Sequence, residues 1–406
     1  MSLLKEYYDL IVAGGGASGI IASIIAAERG KTVLLLEKAD HPGRKIQASG
    51  NGRCNLMNTG NLRYYGDSQF ASEVLSRYSA KRLTDFFQHI GLLMTDEADG
   101  RRYPLSCQSA SVMNVLKNAL KLYQIELKNN TAVKNVCQTD NGFSVYSADG
   151  DSFHSRKLLI ACGGAAQPKL GGTDDGYHLL ESFGHRIVPV SPALVPLITD
   201  KRSISGLTGI RIKCRVSLYH KSDLLHREEG EVLFTDYGVS GICIMQCARF
   251  TGVQQSYIEL DFLNHIFSNS DEIKKELIRR QSMYSRFSPV TILEGILNSK
   301  LAYAVMKQAQ IALRGETAGD LTEDDLCRII YAATHYRIDI YGTKGFDSAQ
   351  VTAGGADCSE FNPATMESKI IPGLYAAGEV LNVDGDCGGF NLMFAFSSGM
   401  AAGYAV

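Results

Sequence analysis

The sequence predicts an α/β protein built on a discontinuous Rossmann-like domain, with an inserted β-rich domain and a small helical domain. A strand, a glycine turn, a helix and a second strand follow one another in residues 8–38, and strand and glycine-turn signals return near the end of the chain. Between them, residues 190–265 have the pattern of short strands and residues 266–334 that of helices. The Rossmann-like domain is therefore expected to combine residues 1–189 with residues 335–406.

The first element has the spacing of a dinucleotide-binding turn. An apolar run at residues 10–13 leads into residues 14–19, G-G-G-A-S-G, which fit G-x-G-x-x-G, and an apolar helical pattern then ends at Gly30. Glycines allow the sharp turn and the close approach of a pyrophosphate, which the amide groups at the helix start would bind. The second strand ends at Glu37, whose carboxylate can accept ribose hydroxyls and would repel a 2′-phosphate. The predicted cofactor contacts here are Gly14, Gly16, Ala17, Ser18, Gly19, Glu37 and Lys38.

The composition is that of an ordinary globular protein. Its 406 residues are enough for two or three domains, and 45% of them are hydrophobic and 21% charged. A net charge of −2 gives no electrostatic case for nucleic acid or an anionic membrane as a partner. No apolar stretch approaches the roughly 20 residues that span a bilayer, and no signal peptide is recognised, so a cytoplasmic location is expected.

The ten cysteines are scattered along the chain without a C-x-x-C pair. Cys243 and Cys247 are four residues apart in an apolar helical pattern, but no further cysteine or histidine clusters with them. Buried structural thiols are therefore expected, with neither a metal site nor disulfides.

A polar, glycine-rich stretch, residues 41–55, follows the second strand, and its composition disfavours both helix and strand. A long loop inside a compact domain is usually functional, and its amide groups and basic side chains can follow a diphosphate toward a ring system. Arg53 is a further candidate for binding a phosphate or a substrate anion. Cys54 is expected to pack against the ring system of the bound cofactor rather than exchange electrons, because no partner cysteine is adjacent. The predicted contacts are Arg44, Lys45, Ser49, Gly50, Asn51, Gly52, Cys54 and Asn55.

The middle of the chain continues the α/β pattern. Helices are predicted within residues 70–90 and 109–122, and a three-stranded antiparallel meander over residues 131–159. A second glycine turn, residues 162–166, follows the last of these strands. Val133, Gly163 and Gly164 are the predicted cofactor contacts of this region.

The blocks of the sequence together resemble a known flavoprotein family. They are residues 43–55 (GRK…SGNGRCN), 162–176 (CGGA…PK…GTDDG), 234–241 (FT…GVSG) and 366–379 (MESK…PGLYAAGE). The chain is similar, over essentially its whole length, to the bacterial BaiN/YhiN-type NAD(P)/FAD-dependent oxidoreductases, which include aminoacetone oxidase-like members. Two positions depart from the family pattern: Cys162 replaces a threonine, and Asp236 stands where a histidine often follows Phe-Thr, which weakens any proposal of a catalytic histidine there.

The resemblance implies a Rossmann-like FAD-binding domain that holds FAD non-covalently between the two ends of the chain. The acid that ends the terminal strand, Glu379, is then the ribityl contact, and the last helix, within residues 392–406, directs its N-terminus at the flavin. The resulting predicted contacts are Gly378, Glu379, Asp384, Gly389, Asn391 and Leu392.

The expected function is that of an FAD-dependent oxidoreductase that transfers hydride between a small organic substrate and flavin N5, with the substrate bound between the FAD domain and the insert. The alternatives are an NAD(P)H-driven reductase of steroid- or bile-acid-type enones, an aminoacetone-type amine oxidase that produces H2O2, and a non-catalytic flavin-binding redox module. No second strand–GxGxxG–helix unit is present, so NAD(P)H is expected, if at all, as a transient donor. No acid or base residue is assigned, and the oligomeric state stays open.

Overall fold

The computed structural model describes residues 7–251 and 255–406. The segment on which the expectation about a signal peptide rests lies largely outside these residues. Two compact units are present: one comprises the described residues up to Pro192 together with Gln350–Val406, and the other comprises Ala193–Ala349. Within the described ranges, no helix has the length and apolar character that a bilayer crossing requires.

Helices and strands occur along the whole described chain. The helices are α1 (Ala17–Glu28), α2 (Arg44–Ala48), α3 (Ser68–Arg77), α4 (Ala80–His89), α5 (Ser109–Leu122), α6 (Asp175–Glu181), α7 (Ile242–Cys247), α8 (Ser270–Met283), α9 (Ser299–Gln308), α10 (Glu323–Thr334) and α11 (Phe390–Ala405). The strands are β1 (Tyr8–Ala13), β2 (Val33–Leu36), β3 (Met57–Asn58), β4 (Tyr64–Gly66), β5 (Met94–Asp96), β6 (Arg101–Pro104), β7 (Glu126–Lys128), β8 (Val133–Thr139), β9 (Gly142–Ser147), β10 (Ser152–Ile160), β11 (Ile187–Ala193), β12 (Leu197–Thr199), β13 (Arg211–His220), β14 (Asp223–Phe234), β15 (Gly238–Ser240), β16 (Ser256–Asp261), β17 (Tyr336–Thr343), β18 (Val351–Ala356), β19 (Leu374–Ala376) and β20 (Val383–Gly385).

The first unit is organised around a parallel sheet in the order β7-β2-β1-β10-β19. Strands β1 and β2 are short apolar runs because both faces of such a sheet are covered. In the register, Ala13 pairs with Leu36 and with Ile160, and Ile160 pairs with Ala376, so these strands end at one edge. The beginning of β10 pairs with β9, and β9 with β8, in the antiparallel meander that the sequence predicts.

Helices α1 and α11 pack against each other at backbone distance. A Cβ atom on Gly399 would fall inside the van der Waals contact of the Ser18 carbonyl oxygen, and one on Gly403 would lie 2.8 Å from the Ala22 carbonyl oxygen. The residues of α1 from Ser18 to Ala26 are all buried. Sequence from the two ends of the chain therefore forms one core, and the predicted fold class is confirmed.

The stretch from residue 41 to residue 55 is not wholly irregular, so that prediction was wrong in part. Helix α2 occupies Arg44–Ala48, and a 3-10 turn follows at Ser49–Gly52. Ile46 is buried, and a Cβ atom on Gly43 would collide with the Met113 side chain, so the segment is pinned against α5. The sequence did not predict this short helix because glycines flank it and Ile46 is its one buried residue.

The second unit contains a closed barrel in the order β12-β15-β14-β13-β16-β17, together with α7 to α10. Strands β12 to β16, with α7 among them, precede helices α8 to α10, and β17 follows these helices. Strand β17 pairs with both β16 and β12, so it completes the barrel, and the chain returns to the first unit at Gln350 rather than near residue 335. The division of the insert into a β-rich and a helical domain stays a prediction.

Candidate functional site

Four turns meet where the parallel strands end. Gly14 follows β1, Glu37 follows β2, the Gly163-Gly164 turn follows β10, and Gly378 follows β19. The Gly14 amide donates to the Leu36 carbonyl at 2.8 Å, and the Ala377 amide donates to the Ile160 carbonyl at 3.1 Å. Ligands of open α/β sheets bind at this carboxyl edge. The structure therefore brings together turns that the sequence predicts separately.

The three motif glycines of the first turn have different surroundings. A Cβ atom on Gly14 or on Gly19 would collide with backbone, that of Ala161 and of Gly14 respectively. A Cβ atom on Gly16 would have no heavy atom of the described chain within 4 Å. Gly16 is the N-cap of α1 and no side chain caps the helix, while the Ser18 hydroxyl donates to the Ala377 carbonyl at 3.1 Å. Gly14 and Gly19 are thus needed for packing, whereas Gly16 and the neighbouring Ala17 line an open cradle that fits a diphosphate.

Glu37 orders the glycine turn through its side chain. Its two carboxylate oxygens accept hydrogen bonds from the amide groups of Gly15 and Ala39, each at 2.8 Å. Each oxygen keeps a further lone pair, so the side chain can still accept a ribose hydroxyl. The Glu37 carbonyl accepts from Thr131, which places the start of β8, and hence Val133, near this end of the site. Lys38 is exposed and lies 3.7 Å from Asp175.

Lys45 and Glu379 meet beside the second glycine turn. The Lys45 Nζ atom lies 3.0 Å from Glu379 Oε2 and donates to the Gly164 carbonyl at 3.4 Å. The other carboxylate oxygen of Glu379 accepts from the Thr352 amide at 2.9 Å. A Cβ atom on Gly163 would lie 3.8 Å from Glu379 Oε2. Thr352 was missed because nothing in the apolar and glycine-rich sequence of β18 marks it.

Gly378 precedes this acid and has a left-handed φ of 82°. Its amide donates to the Ser398 hydroxyl at 3.0 Å, and a Cβ atom there would lie 2.5 Å from the Ser18 hydroxyl. The residue therefore links β19 to both α1 and α11, which explains the requirement for glycine.

The basic side chains of the 41–55 stretch are partly engaged within the protein. Arg44 donates to the Lys169 carbonyl at 3.0 Å. Arg53 forms an ion pair with Glu97 and stacks over the Tyr103 ring at 4.3 Å from its centroid. Lys45 is thus the basic side chain of this stretch that reaches the other predicted contacts.

The end of this stretch is a strained turn. Gly50, Asn51, Gly52 and Cys54 have φ values of 58°, 54°, 82° and 59°. The Ser49 hydroxyl donates to the Ile46 carbonyl at 2.8 Å, and the Ser49 carbonyl accepts from the Cys54 amide at 3.0 Å. Cys54 is fully buried, and burial raises the pKa of its thiol to about 11. Such a thiol stays neutral and reacts slowly at neutral pH. The packing of Cys54 against the flavin ring stays a prediction.

The start of α11 presents amide donors. Gly389 is its N-cap with φ 100°, no side chain caps the helix, and the first intrahelical hydrogen bond runs from the Met393 amide to the Gly389 carbonyl. The amide groups of Asn391 and Leu392 precede that bond. The Asn391 side chain instead holds the preceding loop: it accepts from the Gly385 amide and donates to the Gly385 carbonyl, both at 2.8 Å.

The loop before α11 is fixed from two sides. Asp384 is buried within β20, where it pairs with Tyr65 of β4. Asn58 donates to the Gly388 carbonyl at 2.9 Å. Asn58 was missed because the predicted polar stretch ended at Asn55. Asp384 is therefore part of the framework of the loop.

One polar atom near α11 lacks a partner. Asn55 is only 8% exposed, and its Oδ1 atom has no hydrogen-bond partner in the described part of the chain. An unpaired buried acceptor costs about 1–3 kcal/mol. This unpaired acceptor and the open cradle at Gly16 both fit a bound cofactor.

Residues 8–405 match the family model described as the HI0933-like protein Rossmann domain. The chain belongs to this family. It is 34% identical over 404 residues to the 3-dehydro-bile acid delta(4,6)-reductase of Clostridium scindens, covering 97% of this chain and 98% of that protein. The prediction of an FAD-dependent oxidoreductase is confirmed at this level.

Two further relatives carry the name ribosomal RNA dihydrouridine synthase. The protein of Escherichia coli is 28% identical over 404 residues, with 98% of this chain and 97% of that protein covered. The protein of Haemophilus influenzae is 27% identical over 415 residues, with 99% of each covered. The expectation that nucleic acid is excluded, which rested on the net charge, thus lacks support from the family.

Proposed function

We propose that this protein uses FAD to reduce a carbon–carbon double bond conjugated to a carbonyl group, in a steroid-type enone. The observation that carries the proposal is the 34% identity, over nearly the whole of both chains, to a protein named as a bile-acid delta(4,6)-reductase. The name dihydrouridine synthase denotes related chemistry, because the double bond of uracil that is reduced is also conjugated to a carbonyl. The shared reaction adds hydride to the β-carbon and a proton to the α-carbon.

The predicted residues provide a continuous set of contacts for the cofactor. The turn at residues 14–19 would hold the diphosphate, and Glu37 the ribose of the adenosine end, near Val133. Glu379 and Lys45, beside Gly163 and Gly164, would hold the ribityl hydroxyls. Of the other predicted contacts, we propose that Asn51, Gly52, Cys54, Asn55, Gly389, Asn391 and Leu392 would lie toward the ring. FAD, when bound, supplies the hydride that this reduction requires.

The charges of the site suit this arrangement. The ammonium group of Lys45 and the carboxylate of Glu379 offset each other at 3.0 Å, so their surroundings favour hydroxyl groups over a phosphate. The uncapped N-terminus of α11 has the positive end of the helix dipole and stabilises negative charge on a ring placed there. The Lys45–Glu379 pair at the ribityl chain and the positive end of the α11 dipole at the ring would together orient the ring.

The electron donor is proposed to bind only transiently. The glycine turn after β10 belongs to the same sheet as the turn after β1, so it adds to the first nucleotide site and does not form a second one. NADH or NADPH would therefore reduce the flavoprotein without a Rossmann domain of its own.

Product analysis tests the proposal. The FAD-loaded protein is supplied with NADH or NADPH, or with photoreduction in place of both, and mixed with a 3-oxo-4,6-diene steroid under nitrogen. The expected product carries two more hydrogens, while a steroid with an isolated double bond is unchanged. Reduction of uridine in ribosomal RNA without reduction of the steroid would overturn the substrate class, and peroxide formation from aminoacetone in air without either reduction would overturn the reaction.

A further inference from the structure

Asn55 Oδ1, the Tyr177 hydroxyl and His220 Nδ1 are the buried side-chain polar atoms that have no hydrogen-bond partner among the described residues, and Asn55 Oδ1 lies beside the N-cap of α11. Asn55 is 8% exposed, and no described residue donates a hydrogen bond to this oxygen. Because burial of an acceptor without a donor is unfavourable, the position is explained if a ligand brings the donor.

The surroundings of this atom are the start of α11. A Cβ atom on Gly389 would lie 2.8 Å from Asn55 Oδ1 and 2.6 Å from the Met57 carbonyl oxygen, so the chain at residues 55–57 packs directly on the helix N-cap. The first amide groups of α11 have no capping side chain. One hydrogen-bond acceptor therefore lies beside a row of donors.

The backbone holds Asn55 in place. On one side, the Cys54 amide donates to the Ser49 carbonyl at 3.0 Å, and on the other, the Leu56 amide donates to the Arg102 carbonyl at 2.9 Å. Two other asparagines near this helix start use their side chains to hold backbone: Asn391 bonds the Gly385 amide and carbonyl, and Asn58 donates to the Gly388 carbonyl. Asn391 and Asn58 are thus framework residues, and Asn55 is left for recognition.

An acceptor with donors beside it is complementary to the N–H and an adjacent carbonyl of an imide edge, C(=O)–NH–C(=O). The pyrimidine edge of the flavin ring is such an imide, and N3–H is the one ring N–H that oxidised flavin offers. We infer that Asn55 Oδ1 accepts the flavin N3–H and that the first turn of α11 donates to an adjacent flavin carbonyl. The inference rests on the FAD site of the proposed function and assigns the ring-orienting residue within it.

The test uses the apoprotein and FAD labelled with 15N at N3. Asn55→Ala removes the acceptor, Asn55→Asp keeps an oxygen acceptor in the same place, and Asn129→Ala, an exposed asparagine, is the matched control. The measurements are the FAD dissociation constant and the N3–H resonance of the bound flavin. Asn55→Ala is expected to weaken FAD binding about tenfold and to return the N3–H resonance toward that of free FAD, with Asn55→Asp and Asn129→Ala close to wild type.

Each other outcome overturns the inference in a recognisable way. Wild-type affinity and an unchanged N3–H resonance in Asn55→Ala would remove Asn55 from the site. An unchanged oxidised complex with a shifted reduction potential would place Oδ1 at N5, which carries a hydrogen only when reduced. If Asn55→Ala does not fold, the N3–H resonance of Asn55→Asp decides, and a value equal to that of free FAD contradicts the inference. Failure of the wild-type protein to bind FAD would instead refute the proposed function itself.

Discussion

The ammonium group of Lys45 lies 3.0 Å from the Oε2 atom of Glu379, 334 residues further along the chain. Helix α2 presents the lysine, and the turn after β19 presents the acid. The contact joins the N-terminal and C-terminal parts of the first unit at the place where the ribityl chain is proposed to bind. Both side chains are partly buried, so the pair is shielded from solvent more than a surface ion pair.

Removing the charge of Glu379 is expected to weaken FAD binding more than it disturbs the fold. Glu379→Gln keeps an oxygen for the Thr352 amide but loses the charged acceptor for a ribityl hydroxyl, so the FAD dissociation constant should rise about tenfold. Lys45→Met leaves the carboxylate unpaired and should lower the unfolding free energy of the apoprotein by about 1–2 kcal/mol.

A double-mutant cycle of these two substitutions checks the coupling. Isothermal titration gives the FAD affinity, and urea unfolding of the apoproteins gives stability. The loss in stability from Lys45→Met should largely disappear in the Glu379→Gln background. Strictly additive effects would contradict a direct interaction between the two side chains.

Gly16 and Gly19 should respond oppositely to the same added methyl group. Gly16→Ala adds an atom that meets no described residue within 4 Å, so apoprotein stability should stay within about 1 kcal/mol of wild type while FAD affinity falls at least about a hundredfold. Gly19→Ala drives its Cβ atom into the Gly14 carbonyl and should cost about 1–3 kcal/mol of stability.

Urea unfolding of the apoproteins, paired with FAD titration, separates the two roles. Each variant is the control for the other, since both add one methyl group to the same glycine turn. Stoichiometric, tight FAD in Gly16→Ala would refute the assignment of the open cradle to the diphosphate.

Alkaline pH should destabilise the protein through the thiols of Cys54, which is buried, and Cys162, which is partly buried. Burial raises the pKa of Cys54 to about 11 and that of Cys162 to about 12, from an ordinary value of 9.0. Below pH 9 both states keep the proton; as pH rises from 9 toward 11–12 only the unfolded chain ionises, so stability falls by up to about 1.4 kcal/mol per pH unit for each thiol.

Urea midpoints between pH 8 and pH 11 measure this effect, and a Cys54→Ala variant should show a shallower decline. In the folded protein at pH 8, a thiol reagent should modify the exposed Cys327 and leave Cys54 unmodified. Rapid modification of Cys54 under native conditions would contradict the inert role assigned to it.

The part of the site formed by residues 14–19 and Glu37 could be predicted from spacing in the sequence. The turn at residues 14–19 and Glu37 lie within one strand–helix–strand unit, so their order in sequence fixes their arrangement. The contact between Lys45 and Glu379 has no such signal, because it depends on where α2 and the turn after β19 pack in the folded unit.

Other features depend on tertiary pairing for a similar reason. Tyr336–Thr343 alternates between buried and exposed positions as any strand with one covered face does, so its sequence does not reveal that it closes the barrel. Thr352 contributes through its backbone amide, which no side-chain pattern marks. Ile46 is the one buried residue of helix α2, and a single buried position gives no hydrophobic periodicity that could predict the helix.

The central claim is that the flavoprotein reduces a double bond conjugated to a carbonyl, and the reoxidation half-reaction tests it most directly. The FAD-loaded protein is reduced with dithionite in the absence of oxygen and mixed with a 3-oxo-4,6-diene steroid, while the flavin absorbance is followed. The oxidised band should return at a rate that rises with steroid concentration, and not with a steroid whose double bond is isolated. A reduced flavin that stays reduced in the presence of the dienone, and of uridine in RNA as well, would contradict the account.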